Sequence, residues 1–315
     1  MRRGRRSTPP GGHRPVLRDE SLAALDPKPG GIAVDCTLGN AGHAGELLRR
    51  VVPGGKLIAF DLDAANIAKA VAALSPISES FALRHGNFAG LASVLATEGL
   101  EGCDCLLADL GMSSMQVDDP DRGFSFARDG PLDMRMDQSR GRTAAELLNT
   151  LSAEDLASAF RELGDEPQAE RIAAAIIERR TTEPFARTRE LMDLVLHAAP
   201  VVVNPHPRKG EPTPRQQQIR PTARVFQALR ILVNRELANL QELLRVLPWC
   251  LRPGGRAAII GFHSGEDRLV KNAFKEGLRT GLYAKISDEP VRPTVSERFD
   301  NPRSRSAKMR WAVRT

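Results

Sequence analysis

Short apolar runs alternate with segments of helical periodicity through the first 110 residues of the chain. In the helical segments (42–52, 64–74 and 91–98), apolar residues recur every three or four positions. Strands that alternate with helices of this length predict a parallel sheet with helices on both faces. The predicted strands are Gly31–Cys36, Lys56–Phe60, Phe81–Arg84 and Cys105–Leu110.

The pattern changes after the fourth strand, because residues 143–199 show only helical periodicity. A Pro- and Arg-rich stretch follows, and then one long helix is predicted from Thr222 to about Leu247. We therefore predict an α/β domain formed by residues 13–137 and 220–315, with a helical insert at 138–219 that ends in a mobile connector at 204–219. The α/β pattern resumes with a strand at Arg256–Gly261, a helix near 266–276, and strand-like runs at Tyr283–Ile286 and Lys308–Val313.

Composition narrows the class of protein only slightly. The 315 residues are 41% hydrophobic and 27% charged, as in ordinary globular proteins, and the net charge of +6 is a mild argument for a nucleic-acid partner. A basic protein without such a partner remains the alternative. Residues 1–12 are predicted to form a disordered basic arm.

The spacing of the cysteines and the length of the apolar runs indicate where in the cell the protein acts and whether it binds a metal. The four cysteines show no C-x-x-C spacing, so we interpret them as reduced residues and predict no metal site. No apolar run reaches the 18 residues of a membrane span, and the basic amino terminus lacks the apolar core of a secretory signal. These observations predict a cytoplasmic protein that does not engage a membrane.

The loop after the first strand has features of a cofactor site. Gly39 and Gly42 allow close backbone approach to a ligand, and a helix begins near Gly42. Asp61 ends the second strand, where a carboxylate can accept both ribose hydroxyls of a nucleoside. A dinucleotide would favour G-x-G-x-x-G, whose middle glycine is missing here, whereas S-adenosylmethionine has no phosphate and its ammonium group benefits from Asp35. The loop favours S-adenosylmethionine, and a generic strand-to-helix turn remains the alternative.

The fourth strand ends in the long polar segment 109–137, which is typical of a functional loop. Asp109 is predicted beside the reactive end of the cofactor, one strand over. Ser113, Ser114 and Gln116 can hydrogen-bond a polar substrate. Phe124 and Phe126 either stack on a base or anchor the loop to the helical insert.

A second polar cluster follows the strand that ends at Gly261. Within it, His263 is a candidate for substrate contact, supported by the neighbouring Ser264, although a structural histidine is equally compatible with the sequence. Arg303, in a basic and hydroxyl-rich stretch before the last strand, could bind phosphate or belong to a solvated turn.

These motifs together resemble the bacterial 16S ribosomal RNA cytosine-N4 methyltransferase family. The resemblance covers nearly the whole chain from about residue 13, and the run from 122 to 137 is its most specific part. One departure is Ala41, at a position where the family usually has glycine. The matching stretches are His13–Leu17, Asp35–His43, Asp109–Ser114, Arg122–Phe126, Asp129–Asp137, Phe226–Ile231, Phe262–Ser264, Glu266–Arg268 and Asn301–Ala307.

The resemblance implies an α/β fold with a Rossmann-like class I methyltransferase sheet and an inserted all-helical domain for substrate recognition. It also implies S-adenosylmethionine as methyl donor and a decoding-centre cytosine of 16S ribosomal RNA, in the small ribosomal subunit, as substrate. With the loop analysis it predicts a methyl-donor site comprising Gly39, Ala41, Gly42, His43, Asp61, Phe88, Asp109 and Gln116. The predicted substrate-binding residues are Ser113, Ser114, Phe124, Phe126, Arg135, Phe262, His263, Ser264 and Arg303.

Asp109 is the predicted catalytic residue. A carboxylate that accepts an N–H hydrogen bond would favour attack by the weakly nucleophilic cytosine amine. The prolines and aromatic residue that follow this position in many amino-methyltransferases are absent, so base stacking is assigned to Phe124, Phe126 or Phe262. The competing hypotheses are an NAD-dependent oxidoreductase and a ribosome-binding factor without enzymatic activity. The chain is expected to act as a monomer or homodimer.

Overall fold

The computed structural model describes residues 15–208 and 210–315. The predicted arm at residues 1–12 lies outside the described residues. Contacts divide the described chain into two compact units, residues 15–111 with 237–315 and residues 112–236. The predicted insert, 138–219, falls within the second unit, and its domain boundaries stay a prediction.

The first unit contains a seven-stranded sheet of order β3-β2-β1-β4-β5-β7-β6. Strands β1 to β5 pair in parallel, whereas β7 pairs antiparallel with both β5 and β6. The sheet is therefore mixed, and its parallel part follows the predicted strands. The strands are β1 (Ile32–Asp35), β2 (Lys56–Asp61), β3 (Phe81–His85), β4 (Cys103–Asp109), β5 (Leu251–Gly261), β6 (Tyr283–Ile286) and β7 (Lys308–Arg314).

The helices largely follow the predicted periodic segments, and the described residues contain four further helices that the pattern did not reveal, Arg18–Leu25, Ser114–Asp118, Pro214–Gln218 and Val295–Asp300. Short 3₁₀ helices cover Phe88–Gly90, Pro120–Arg122 and Pro302–Ser306. The α-helices are α1 (Arg18–Leu25), α2 (Gly42–Val51), α3 (Ala64–Leu74), α4 (Leu91–Thr97), α5 (Ser114–Asp118), α6 (Ala144–Thr150), α7 (Ala153–Gly164), α8 (Ala169–Arg180), α9 (Thr188–Ala198), α10 (Pro214–Gln218), α11 (Arg220–Asn234), α12 (Glu236–Cys250), α13 (Ser264–Arg279) and α14 (Val295–Asp300).

The core of the first unit lies on both faces of the sheet because successive strand residues point to opposite faces. Ile32 and Val34 of β1 pack in one apolar cluster, with α4, α12 and α13. Ala33 packs in the other, with α1, α2 and α3. The near-continuous apolar runs of the sequence are therefore explained by burial on both faces. All four cysteines are free and buried, which confirms their interpretation as reduced residues.

The prediction of one helix from Thr222 to Leu247 was wrong. Arg235 has φ 52°, a left-handed conformation that ends α11, and α12 starts at the next residue. Arg235 is not glycine, so no helix-stop signal marked this break in the sequence. The predicted connector at 204–219 contains the short helix α10, and its mobility stays a prediction.

The second unit is mainly helical, and its longest non-helical segments are the loop that follows α5 and the stretch between α9 and α10. Arg122 holds this loop together by donating to the carbonyl oxygens of Arg135 and Met136, at 3.0 and 2.9 Å. Asn234 of α11 accepts from Met136 N at 2.7 Å and donates to Met134 O at 2.8 Å. These contacts give the loop a defined conformation within its unit.

Among the described residues, the structure contains no helix with the length and apolarity needed to cross a membrane.

Candidate active site

Three acidic residues lie at the carboxyl ends of neighbouring parallel strands. Asp35, Asp61 and Asp109 are the last residues of β1, β2 and β4. Because β1 lies between β2 and β4, all three carboxyl groups are placed at one edge of the sheet. Ligands of open α/β sheets bind at this edge, so the predicted cofactor loop and the predicted catalytic residue belong to one site.

Asp61 links the second strand to the glycine loop. Its Oδ2 accepts hydrogen bonds from Gly39 N at 2.8 Å and Asn66 Nδ2 at 3.0 Å, and its Oδ1 accepts from Asp63 N at 2.8 Å. Burial raises the pKa of this carboxyl group, while these hydrogen bonds act in the opposite direction. Gly39 has φ 48°, a conformation that glycine adopts without strain. The loop is thereby fixed to the carboxylate predicted to bind ribose.

Asp35 and Asp109 are joined through Thr37. The backbone nitrogen of Thr37 donates to Asp35 Oδ1 at 3.0 Å, and Asp109 N donates to Thr37 Oγ1 at 2.7 Å. Asp35 is fully buried, and burial raises its pKa to about 7. The pKa of Asp109 lies well above its ordinary value, first because of burial and then because of the charges of Asp35 and Glu266. The site therefore concentrates acidic groups with little compensating positive charge.

His43 lies beside Asp109, with its Nε2 3.7 Å from Asp109 Oδ2. Burial lowers the pKa of His43 to about 4, against the opposing effect of a hydrogen bond with the backbone of Val16. Burial thus disfavours the charged forms of both groups, and the contact is not an ordinary ion pair. Within residues 15–208 and 210–315, Asp109 Oδ1 is buried and accepts no hydrogen bond.

The end of β5 completes this edge of the sheet. Glu266 is 2% exposed, and its Oε2 accepts from Phe262 N at 2.7 Å and His263 N at 3.2 Å. The Nε2 of His263 lies 3.3 Å from Glu266 Oε1. Gly111 has φ 105°, and a Cβ placed there would lie 3.6 Å from the Phe262 ring. The Phe262 ring therefore packs directly beside the segment that follows Asp109.

Several predicted residues of the first unit have mainly backbone or packing roles. Ala41 precedes α2 with φ 58° and is buried, and Gly42 begins that helix. Phe88 begins a 3₁₀ helix and packs, partly buried, against an apolar core cluster. Ser264 begins α13, and Arg303 is exposed in the 3₁₀ helix before β7.

Ser113 and Gln116 belong to the second unit, where they cap α5. Ser113 Oγ accepts from Gln116 N at 3.3 Å, and Gln116 Oε1 accepts from Ser113 N at 3.1 Å. Ser114 is the first residue of this helix. The capping arrangement accounts for the pair structurally. Contact of these three residues with methyl donor or substrate stays a prediction.

The two phenylalanines of the long loop both have partners inside the second unit. The guanidinium of Arg122 lies 5.8 Å from the centre of the buried Phe124 ring, and Phe126 makes an edge contact with Phe226 of α11, with ring centres 5.1 Å apart. The Phe126 contact favours an anchoring role, but its partner Phe226 lies outside the predicted insert, and Phe124 contacts a residue of the loop itself. Arg135 forms a paired hydrogen bond with Asp133 at 2.8 and 2.9 Å. Substrate binding by these residues stays a prediction.

Thr37, Asn66 and Glu266 were not predicted as site residues. Glu266 could have been found, because a glutamate three residues after His263 has the spacing of a capping box. Thr37 and Asn66 carried no such signal. Their contribution depends on hydrogen bonds to strand ends that are distant in sequence.

The sheet order, the antiparallel β7 and the acidic strand ends around a glycine loop define a Rossmann-like class I methyltransferase. The model of the MraW methylase family matches residues 11–315. The ribosomal RNA small subunit methyltransferase H of Geobacter sp. (strain M21) is 44% identical over 95% of this chain and 97% of that protein. The protein of the same name from Geobacter sulfurreducens is 42% identical over 95% of this chain and 98% of that protein. The chain therefore belongs to the MraW methylase family.

Among solved structures, an rRNA methylase from Streptococcus thermophilus matches with a TM-score of 0.42 and 12% identity, covering 94% of this chain and 93% of that one.

Proposed function

We propose that the protein transfers a methyl group from S-adenosylmethionine to the exocyclic N4 of a decoding-centre cytosine in 16S ribosomal RNA. Family membership and relatives named as small-subunit ribosomal RNA methyltransferases support this proposal. The single structural observation that carries it is the Asp109 side chain at the end of β4, which is 23% exposed and whose Oδ1 accepts no hydrogen bond from the described residues. The proposed reaction requires no metal ion, and we place it in the cytoplasm, performed by a monomer or homodimer.

The electrostatics of the site fit a cationic ligand. Burial raises the pKa values of Asp35, Asp61 and Asp109, and the charges of Asp35 and Glu266 raise that of Asp109 further. A positively charged ligand would stabilise the ionised carboxylates, whereas the pyrophosphate of a dinucleotide would be repelled by them. The site thus favours S-adenosylmethionine, a sulfonium, over NAD.

Asp61 and the loop at 39–43 would hold the nucleoside part of the methyl donor. Asp61 Oδ1 accepts one hydrogen bond from Asp63 N and retains lone pairs for a ribose hydroxyl. The Gly39 and Asn66 hydrogen bonds fix the plane of its carboxylate. Ala41, Gly42 and His43 continue this loop into α2.

S-adenosylmethionine supplies an electrophilic methyl group, and Asp109 is proposed to act on the nucleophile. An N–H of the cytosine amine would donate to the partly exposed Asp109 carboxylate, which localises the nitrogen lone pair and stabilises positive charge that develops on nitrogen. Thr37 fixes the backbone of Asp109, and His43 lies against its other oxygen. Phe262 packs beside Gly111, and we propose it as the residue of the first unit that stacks on the target base.

The experiment incubates the protein with radiolabelled S-adenosylmethionine and small ribosomal subunits that lack this methyl group. Nuclease digestion and mass spectrometry then locate the label. We expect N4-methylcytosine at one decoding-centre position. A folded protein that binds S-adenosylmethionine but leaves these subunits unlabelled would contradict the proposed substrate.

A further inference from the structure

An exposed apolar pair lies on α14, outside the residues assigned above. Val295 and Phe299 are 76% and 80% exposed, and their spacing of four places them on one face of the helix. Isolated exposed apolar side chains are common on protein surfaces. This pair differs because it lies among four exposed arginines of one short segment, Arg292, Arg298, Arg303 and Arg305. We call these six residues the α14 surface.

The α14 surface is held in place from both ends. Val291 and Met309 exchange backbone hydrogen bonds of 2.8 and 2.9 Å, which closes the segment at its base. Glu297 Oε1 accepts from Leu17 N at 2.8 Å, and the buried Ser304 donates to Asn301 O at 2.8 Å. The exposed side chains thus project from a backbone that is fixed on its buried side, which lowers the ordering cost of binding.

The surface lies at the same edge of the sheet as the acidic site. Lys308, the first residue of β7, pairs with Gly261 at the end of β5. Asp109 of β4 pairs with Ile260 of β5. Since β7 runs antiparallel to β5, the segment that precedes Lys308 arrives at the carboxyl edge of the sheet, where the target base must enter.

We propose that the α14 surface binds single-stranded RNA that flanks the target cytosine, with Phe299 stacking on a base and the arginines contacting phosphates. The inference rests on the proposed function, because it assigns a binding surface for that substrate. Between residues 292 and 305 the four arginines outnumber the two acids, Glu297 and Asp300, and Glu297 Oε1 already accepts a hydrogen bond from Leu17 N. An aromatic ring among cations is the combination that binds single strands without reading sequence. Charge complementarity therefore favours RNA over an apolar peptide.

The test measures binding of a short fluorescein-labelled single-stranded RNA to the full chain by fluorescence anisotropy over a range of salt concentrations. We expect Phe299→Ala to raise Kd about tenfold, the loss of one stacked base, without changing the salt slope. Arg298→Ala with Arg305→Ala should lower that slope by about 0.7 for each phosphate contact removed. The matched controls are Trp249→Ala, an aromatic residue 66% exposed on α12, and Lys275→Ala, an exposed cation on α13. Both should bind as the unchanged protein does.

Methyl transfer to small ribosomal subunits by the same preparations separates this proposal from the proposed function. Phe299→Ala should raise KM for subunits while kcat is retained. If the unsubstituted protein is active and Phe299→Ala changes neither Kd nor KM, the RNA-binding role of the α14 surface is overturned and the proposed reaction is not. Loss of self-association by Phe299→Ala in sedimentation, with RNA binding intact, would assign the surface to a second copy and also overturn it. If the unsubstituted protein transfers no methyl group but its RNA binding still depends on Phe299, the proposed reaction is overturned and the RNA-binding role of the α14 surface is retained.

Discussion

The hydroxyl of Thr37 accepts a hydrogen bond from the backbone nitrogen of Asp109 at 2.7 Å, and so connects the cofactor loop to the end of β4. The nitrogen of Thr37 also donates to the buried Asp35. One residue therefore links two strand ends that the proposed reaction uses, through its backbone nitrogen and its hydroxyl. This relationship leads to the first prediction.

Thr37→Val keeps the shape of the side chain but removes the acceptor for Asp109 N. We expect a loss of about 1–3 kcal/mol in the free energy of unfolding, because the partly buried N–H of Asp109 is left unsatisfied. Methyl transfer should fall at least about tenfold, since Asp109 loses its positioning contact. Chemical denaturation and initial rates measure the two effects, and Thr37→Ser, which retains the hydroxyl, should preserve most activity. If Thr37→Val and Thr37→Ser lose the same amount of activity, the hydrogen bond has no role in positioning Asp109.

Asp109→Ala should abolish methyl transfer while the protein stays folded. The substitution removes the proposed acceptor for the cytosine amine and relieves a partly buried acid whose pKa is already raised. Asp109→Asn retains an oxygen acceptor without charge, so its rate should lie between those of Asp109→Ala and the unsubstituted protein. Single-turnover kinetics with saturating S-adenosylmethionine measure the rates. Near-normal turnover in Asp109→Ala would rule out the proposed role.

Asp35 should make the ligand-free protein less stable as pH rises. Its pKa rises from an ordinary value of 3.8 to about 7, so between these values the folded state binds more protons than the unfolded state. The stability advantage of Asp35→Asn should therefore grow from about pH 4 to pH 7 and then level off, approaching roughly 4 kcal/mol. Urea unfolding at a series of pH values measures it. A difference that stays constant with pH would show that Asp35 titrates normally.

His43 should affect the pH dependence of stability in the opposite direction to Asp35 over part of the same pH range. Its pKa falls from 6.5 to about 4, so the unfolded state binds more protons and stability is lost as pH drops through this window. Acidification from pH 6.5 to pH 4 should lower the free energy of unfolding by up to roughly 3 kcal/mol through His43, and His43→Gln should not show this decrease. The same unfolding series measures it, with His206→Gln in the exposed 204–208 segment as control. If the free energy of unfolding of His43→Gln falls below pH 6.5 as it does in the unsubstituted protein, the prediction is contradicted.

Ala41 adopts a left-handed conformation at φ 58°, which costs a non-glycine residue about 1 kcal/mol. Ala41→Gly relieves this strain but loses a buried methyl group worth about 0.8 kcal/mol, so the net change in stability should be under about 1 kcal/mol. Affinity for S-adenosylmethionine, measured by isothermal titration calorimetry, should be retained or improved. Ala41→Val should weaken it, because a β-branched residue disfavours this conformation more strongly. Tighter binding by Ala41→Val would contradict the assignment of this loop.

The parallel part of the sheet and the acidic residues at its strand ends could be predicted from the sequence alone. Runs buried on both faces are apolar throughout, so β1 and β4 could be located, and Asp35 and Asp109 followed directly from where they end. The glycine loop and Asp61 were found in the same way. Local pattern was sufficient because the polar residue next to a buried strand is a neighbour along the chain.

The way in which these residues meet depends on the folded chain and could not be predicted. Thr37 reaches Asp109 across 72 positions of sequence, and β7 returns antiparallel to bring α14 to the active edge. The break at Arg235 also escaped the pattern, because helical periodicity continues on both sides of it. Contacts between distant segments and a single left-handed residue leave no periodic trace in sequence. They are set by packing and hydrogen bonding in the folded chain.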